Sequence, residues 1–400
     1  MALASAARLQ VRYIKEVTYG VTPATNPSNL RVTGEGLDYS IQFETSKEIR
    51  SDRMTSDVVQ TGASADGGLP FELSYGEFDP LLEGVLQSTF LGIGTAGAQV
   101  TPVVPTSATF TANTLTAGAT MATLPNVQKG QWVRVAGSSI PGQNILAQAS
   151  KTIAATTTLL TFEGTPFAGA TGNGGAAVTL SSARLSNGVV QSSYTIEEEF
   201  SDISQWFAYR GMTPSKLSLS FQSGSIVTGN IDFLGKDAIR SATRITGGSP
   251  VASKTYDVMN AVSGVGNVFE NGVALAGTFV KSLTLNVDNA LRGQTAISVL
   301  GNAGIASGTL GVTAAITIYL ADGTLYDKFI ATTVTSFSFS CVDNLGNGYV
   351  FTLPKVKFKD MKIEAGNKDS DVMLSGSLEA LYEPTITQKM IVIDRVGSIP

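Results

Sequence analysis

The stretch LDYSIQFETSKEIRSDRMTSDVVQTGASADGGLPFELSY, residues 37–75, decides the fold class. Its two ends, LDYSIQF and LPFELSY, alternate apolar and polar residues, which predicts two β-strands. The polar run KEIRSDRMTSDVVQTGASADGG (47–68) separates them, although a hairpin turns in only about two to five residues. The sequence therefore predicts two antiparallel strands with a long arm between them.

The composition agrees with a β protein. The 400 residues include 42 Gly and only 15% charged residues, which is typical of many short strands joined by turns. Histidine is absent, which excludes Ser-His, Cys-His and His-metal centres. The net charge of −5 argues against a protein that grips nucleic acid by its phosphates.

The single cysteine and the start of the chain narrow the setting. Cys341 lies on the alternating stretch SFSFSCV, where a small buried side chain is the expected role. The opening MALASAARLQVRYIKEV lacks the apolar core of a secretory signal, and no run of about eighteen apolar residues predicts a membrane span. We expect the chain to fold in a reducing cytoplasm.

The chain contains a pattern that occurs twice. Tyr39, Ile41 and Phe43 match Leu283, Leu285 and Val287 at alternate positions, and a polar arm follows each set. A further strand and a helix-like segment come next, FDPLLEGVLQS (78–88) in one copy and GTLYDKFIAT (323–332) in the other. Any two β halves align by alternation alone, so an accidental match is the alternative.

The comparison gives domain limits and a fold class. The first unit covers 1–88 plus 192–238, and the second covers 280–385. We predict that an inserted small β domain (89–191), with Trp132 in its core, interrupts the first unit, and that a linker (239–279) joins the two units. A flexible C-terminal arm (386–400) ends the chain. The fold class is mainly β: two tandem antiparallel β-sandwich or half-barrel units, each with a flanking helix, plus the insertion. In the first helix, Asp79 is the expected N-cap.

A search for chemistry finds little. Neither GxxxxGK[ST] nor GxSxG occurs. The carboxylates of EEEF (197–200) and the pair Asp369 and Asp371 lack the spacing of a calcium loop, so a solvated strand end and a polar turn are the expected roles. The sequence predicts no catalytic, cofactor or metal site, and favours a structural protein over an enzyme.

Four stretches resemble the tail tube (major tail) proteins of long-tailed bacteriophages. They are YIKEVTYGVTP (13–23), the strand, arm and strand of 37–75 with FDPLLEGVL, the block 197–235, and the end GYVFTLPKVKF to SGSLEALYEP (348–383). The resemblance implies two antiparallel sheets with a flanking helix. It also implies sheets that join edge to edge around a channel, and rings that stack into a tube.

The resemblance further implies a role for the arms. The run 47–68 becomes an inter-ring docking arm, with a solvated flexible loop as the alternative. We expect its contacts from Lys47, Glu48, Arg50, Asp52, Arg53, Met54, Asp57 and Val58. The second arm, ALRGQTAISVLGNAGIASG (290–308), carries a single charge; its candidate contacts are Leu291, Arg292, Ile297 and Leu300.

The resemblance also implies partners. Family members with one unit form hexameric rings, so a duplicated chain predicts trimeric rings with pseudo-sixfold symmetry. The partners are other copies of the chain, the tape measure protein, the tail terminator and the tail tip or baseplate proteins. Double-stranded DNA passes through the channel without tight binding. The location is the virion tail.

Three other functions remain as alternatives. The first is another phage structural protein, such as a tail terminator or a decoration protein. The second is a bacterial surface-layer or adhesin protein, against which the missing signal argues. The third is an enzyme with its site in the insertion.

Overall fold

A computed structural model describes the fold of residues 3–93, 108–117, 127–152, 159–175, 178–261, 265–270, 273–274, 279–321 and 323–397. About half of these residues form antiparallel strands, as the alternation predicts. The mainly β fold class is therefore confirmed. No helix in these ranges has the length and apolar character needed to cross a membrane.

The first half of the chain contains one helix, α1 (Asp79–Leu86), a short 3-10 turn (Ala6–Arg8) and these strands: β1 Leu9–Lys15, β2 Ser28–Leu30, β3 Gly36–Thr45, β4 Val58–Glu72, β5 Leu91–Gly92, β6 Ala108–Phe110, β7 Thr114–Ala117, β8 Trp132–Ala136, β9 Leu146–Gln148, β10 Leu159–Thr161, β11 Gly172–Asn173, β12 Thr179–Ser181, β13 Ala183–Ser186 and β14 Tyr194–Phe200. A second 3-10 turn, Pro141–Gln143, precedes β9.

The remainder contains the helix α2 (Thr324–Ile330) and these strands: β15 Gln205–Gln222, β16 Thr228–Gly235, β17 Asp237–Ser241, β18 Val265–Glu270, β19 Val273–Ala274, β20 Val280–Asp288, β21 Arg292–Gln294, β22 Gly304–Ala306, β23 Gly311–Tyr319, β24 Thr335–Val342, β25 Gly348–Ala365, β26 Val372–Ala380 and β27 Val392–Val396.

Two sets of four strands repeat the same order in space. The first runs β3–β4–β16–β15 and the second β20–β23–β26–β25. In each set a helix follows the second strand in sequence, α1 after β4 and α2 after β23. The two sets therefore share one strand order.

The long strands β15 and β25 connect two layers. The first half of β15 pairs with β14 and β17, and its second half with β16 and β20. The first half of β25 likewise pairs with β24 and β27, and its second half with β26. Apolar side chains of both units fill one continuous core, in which Phe221 lies 5.1 Å from Phe339 between ring centroids.

The helix α1 forms where the sequence predicts it, but its N-terminus differs. Phe78 is the N-cap, and Asp79 is the first helical residue. The Asp79 carboxylate turns inward instead, where it accepts a 2.5 Å hydrogen bond from the Tyr349 hydroxyl and pairs with Arg395. Asp79 therefore does not cap the helix. Its buried contacts connect α1 to the second unit and the C-terminal segment.

The segment between α1 and β13 has a small core of its own, from which Trp132 is absent. Phe110, Phe162 and Phe167 form it, with ring centroids 4.9 and 5.1 Å apart. Trp132 is buried outside this cluster, 4.6 Å from the ring of Phe269. The insertion therefore uses its tryptophan to pack against the parent fold.

The linker and the chain ends are more ordered than the sequence predicts. Within 239–279, β17 continues to Ser241, and β18 pairs with β24. The C-terminal segment contains β27, which is buried between β25 and β13, and β1 pairs with β14 near the other end. Both ends contain apolar residues at alternate positions and form strands that pair with the sheet. The two ends therefore complete the sheet.

The buried pair Arg184–Asp394 holds β13 against β27 with two hydrogen bonds of 2.7 Å. Asp394 also accepts the backbone N–H of Trp132 at 2.9 Å. Asp394→Ala leaves the buried Arg184 guanidinium without its carboxylate partner, so we expect a loss of about 3–5 kcal/mol in the free energy of unfolding. Urea unfolding measures the loss. The exposed control Asp369→Ala stays within about 0.5 kcal/mol of wild type; equal losses contradict the prediction.

Candidate assembly surfaces

A seam of paired strands joins the two four-strand sets. In it the second half of β15 runs antiparallel to β20, from Lys216 opposite Asp288 to Gln222 opposite Ser282. Lys216 and Asp288 also form an ion pair of 3.1 Å. The apolar side chains along the seam are buried: Leu217, Leu219, Phe221, Leu283, Leu285 and Val287. The seam therefore makes one eight-stranded sheet out of two four-stranded sets.

The eight-stranded sheet ends in two unpaired edges. In the part of the chain that the structure describes, β3 pairs only with β4, and the second half of β25 pairs only with β26. Apolar side chains at these edges are exposed, among them Ile41, Phe43 and Ile363. Each edge offers a row of backbone N–H and C=O groups, which is a template for another strand.

A bulge in each long strand relates the two edges to the seam. The bulged residue, absent from the pairing register, is Ser215 in β15 and Lys359 in β25. Leu219 and Ile363 each lie four residues beyond it. Leu219 is 1% exposed beneath the seam, whereas Ile363 is 44% exposed. The free edge of β25 therefore corresponds to the edge of β15 that pairs with β20, but no described strand pairs with it.

The outer strands β3 and β20 correspond through the same bulges. Three successive strand pairings connect the residue before the bulge in each long strand to a residue of the outer strand. That residue is Leu37 in β3 and Leu285 in β20, so these two leucines occupy equivalent positions. The sequence comparison instead matched Tyr39 with Leu283. By strand pairing the counterpart of Tyr39 is Val287, four residues after Leu283. Alternation has a period of two and leaves such shifts open. In the first set the pairings run from Pro214 to Phe233, then to Gly67 and to Leu37. In the second set they run from Phe358 to Leu378, then to Ala314 and to Leu285.

The face of this sheet that points away from the core is polar. It carries short hydroxyl, amide and carboxylate side chains that are exposed or half-buried, such as Asp38, Ser218, Thr284, Asn286 and Thr313. Several of them bond across the strands, as Ser40 does to Ser64 at 2.9 Å. In the described ranges, no cluster of three or more Cys, Asp or Glu side chains suits a metal ion. The face is therefore predominantly polar.

Comparison with known proteins agrees with this geometry. The family model described as "Phage tail tube protein" matches residues 6–380. The chain belongs to the phage tail tube protein family. A search of curated proteins finds no match. The family is a structural one, and its membership supports a virion tail location and self-assembly into a tube.

The first arm of this tail tube family member is a hairpin with an irregular tip. β3 and β4 stay paired to Thr45 opposite Val58, and Ser46–Asp57 forms the tip. The charged residues there pair locally: Arg50 with Asp52 at 2.5 Å, which lowers the pKa of that carboxyl, and Lys47 with Glu44 at 3.6 Å. The other predicted contact residues are exposed or half-exposed along the same arm: Glu48, Arg53, Met54, Asp57 and Val58.

The second arm bends back over the first unit. Its hairpin pairs Arg292 with Ala306, and the Asn302 side chain donates a 2.7 Å hydrogen bond to the Gly235 carbonyl. The predicted residues Ile297 and Leu300 are exposed, and Leu291 is half-buried. The two arms thus differ: one projects from the sheet, and the other is docked within the chain.

Sequence reasoning missed the two sheet edges as interaction surfaces. The available signal lay in KVKFKDMKIEA (355–365), a strand with charged residues at nearly every second position. Lysine and other charges on a strand are typical of an edge that is protected from unwanted pairing. Which strands lie at an edge depends on topology, however, and the sequence pattern does not give the topology.

The acidic run in β14 is buried, so the expectation of a solvated strand end was wrong. Glu197 accepts hydrogen bonds from the backbone of Ile245 and Thr246 at 2.7 and 2.8 Å. Burial and the neighbouring Glu35, just before β3, raise the pKa of Glu198 to about 9. The Glu198 carboxyl is therefore neutral at pH 7, at the foot of the first arm.

Replacement of Glu198 tests this environment. Its folded pKa of about 9 lies above the ordinary 4.5, so the unfolded chain releases the proton first. The contribution of Glu198 to the free energy of unfolding is largest below pH 4.5. It falls as the pH rises towards 9, by up to about 1.4 kcal/mol per pH unit. Glu198→Gln removes this slope. Urea unfolding at several pH values measures it; an unchanged slope contradicts the assignment, and Glu48→Gln is an exposed control.

Proposed function

We propose that the chain is the ring-forming subunit of a phage tail tube. Three copies close one ring with pseudo-sixfold symmetry, and rings stack head to tail into a tube. The observation that carries the proposal is the seam between β15 and β20. It is an intrachain example of the contact that the free edge of β25 makes with the free edge of β3 in the next copy.

The seam register gives the contact between copies. Leu219 lies opposite Leu285, and Ser218 opposite Asn286. The corresponding positions place Ile363 opposite Leu37 and Lys362 opposite Asp38 of the next copy. Lys362 and Asp38 are both exposed and carry opposite charges, so they are complementary at the position that the register predicts. In the single chain, Lys362 pairs instead with Glu364 at 3.0 Å.

Ring closure explains the exposed apolar edge. Paired in this way, the exposed Ile363 packs against the already buried Leu37 and is covered as Leu219 is. The backbone groups of both edges gain partners. Three copies supply about 24 strands. Strands about 4.8 Å apart and tilted by about 40° close a barrel about 50 Å across its backbone. Its interior is wide enough for a DNA duplex.

The polar face of the sheet lines this channel. Its hydroxyl, amide and carboxylate groups hold water and offer few cations to phosphates, in keeping with the net charge of −5. Binding to DNA through released counterions needs Lys and Arg, so the wall lets DNA slide. Before DNA passes, the channel houses the tape measure protein. The tail terminator and the tail tip or baseplate proteins bind the tube ends, and assembly takes place in the host cytoplasm.

A proline at the free edge tests the contact. The Ser215 carbonyl and the Ser223 amide both face β20, so the N–H of Leu219 does too, since alternate residues share a direction. The N–H of its counterpart Ile363 therefore faces outward. We expect Ile363→Pro to fold with little loss of stability but to form no rings in size-exclusion chromatography with light scattering or in negative-stain electron microscopy, because proline blocks strand addition.

Two matched variants control this test. Lys362→Pro removes an N–H that faces β26, so it destabilises the chain itself in urea unfolding. Ile363→Val keeps the N–H and the apolar contact, and it forms rings. Rings from Ile363→Pro at wild-type concentration would contradict the proposed contact.

The number of chains per ring tests the role of the repeat. Native mass spectrometry of isolated rings is expected to give three chains, because each chain supplies two four-strand sets joined by the seam. A ring of six chains would show that each chain fills one position only.

A further inference from the structure

The second arm covers the end of helix α1. Ser307 bonds to the side chain of Gln87, directly after the helix, at 2.6 Å. Asn289, where this arm leaves the sheet, donates to the carbonyls of Val85 at 2.8 Å and Pro214 at 3.3 Å. Together with Asn302 on Gly235, these contacts fix the arm over the helix end and the adjoining strand ends.

The corresponding place in the second unit is uncovered. Leu86, the last residue of α1, is 2% exposed, whereas Ile330, the last residue of α2, is 64% exposed. Val334, directly before β24, and Tyr382, two residues after β26, are also exposed large side chains. We call Ile330, Val334 and Tyr382 the α2 patch. Gly130 and Glu163 of the insertion line a cleft with Val334 and so border the α2 patch, but its three side chains stay exposed.

The first arm carries apolar side chains that lack a cover. Phe43, Ile49, Met54 and Val58 are each more than half exposed. By the pairing register, Ile41 corresponds to Asn289, the residue where the second arm turns off the sheet. When β3 of one copy adds to β25 of another, the first arm therefore starts from the same place above the second unit as the second arm does above the first.

We infer that the first arm docks onto the α2 patch of the next copy in the same ring. The inference rests on the proposed edge contact between β25 and β3. It commits to one occupant, a second copy of this chain, because the internal arm supplies the template and the edge register supplies the starting point. Apolar side chains of the arm then cover Ile330, Val334 and Tyr382, which removes exposed apolar surface from both partners. The adjacent ring is the alternative partner that the family resemblance implies.

Covalent cross-linking separates the two partners. Ile49→Cys in the arm and Ile330→Cys in the α2 patch are combined in one chain, assembled, and treated with a short bismaleimide. Native Cys341 is buried and its thiol pKa is raised to about 12, so it does not react. We expect a denaturing gel ladder that stops at three chains, because a same-ring link closes on itself. A link to an adjacent ring continues beyond three chains and overturns the inference, as does a single-chain product alone.

Matched variants complete the design. Ile297→Cys, exposed in the second arm, replaces Ile49→Cys and is expected to give no ladder with Ile330→Cys. Size-exclusion chromatography precedes the cross-linking step. If no rings form, the proposed function fails. If rings form and the ladder is absent, only the arm assignment fails.

Discussion

Backbone pairing across the seam between β15 and β20 is the interaction on which the rest of the structure depends. A four-stranded sheet leaves two rows of peptide groups without partners and two flanks of apolar side chains in water. The seam removes one such pair of edges inside the chain and buries Leu219 and Leu285. It leaves the equivalent pair, β3 and β25, at opposite ends of a sheet of twice the width.

Buried polar contacts hold the other elements around this sheet. Arg184 and Asp394 tie the end of the insertion to β27, and Asp79 ties α1 to Tyr349 and Arg395. Each contact joins segments that are far apart in sequence. Removal of one partner leaves the other charged or polar in the core, so the termini and the insertion stay in fixed places relative to the seam.

The repeat gives one chain two related but unequal surfaces. The second arm is satisfied within the chain, whereas the first arm, the α2 patch and both sheet edges carry exposed apolar groups. Contacts of this head-to-tail kind use different patches on the two partners, so they close into a ring when the rotation allows it.

Alternation and composition were enough to predict the mainly β class from sequence, and the run 47–68 predicted the long arm. The helix at FDPLLEGVL followed from its apolar stripe, and the family followed from the resemblance of four stretches. The tertiary structure alone decided the rest. It set the register between the repeats, which a period of two leaves open, and it placed EEEF and the C-terminal segment inside. It also identified β3 and β25 as the free edges. The residues of a strand indicate which of its faces is buried. Its neighbours in the sheet, however, depend on pairing between segments up to hundreds of residues apart.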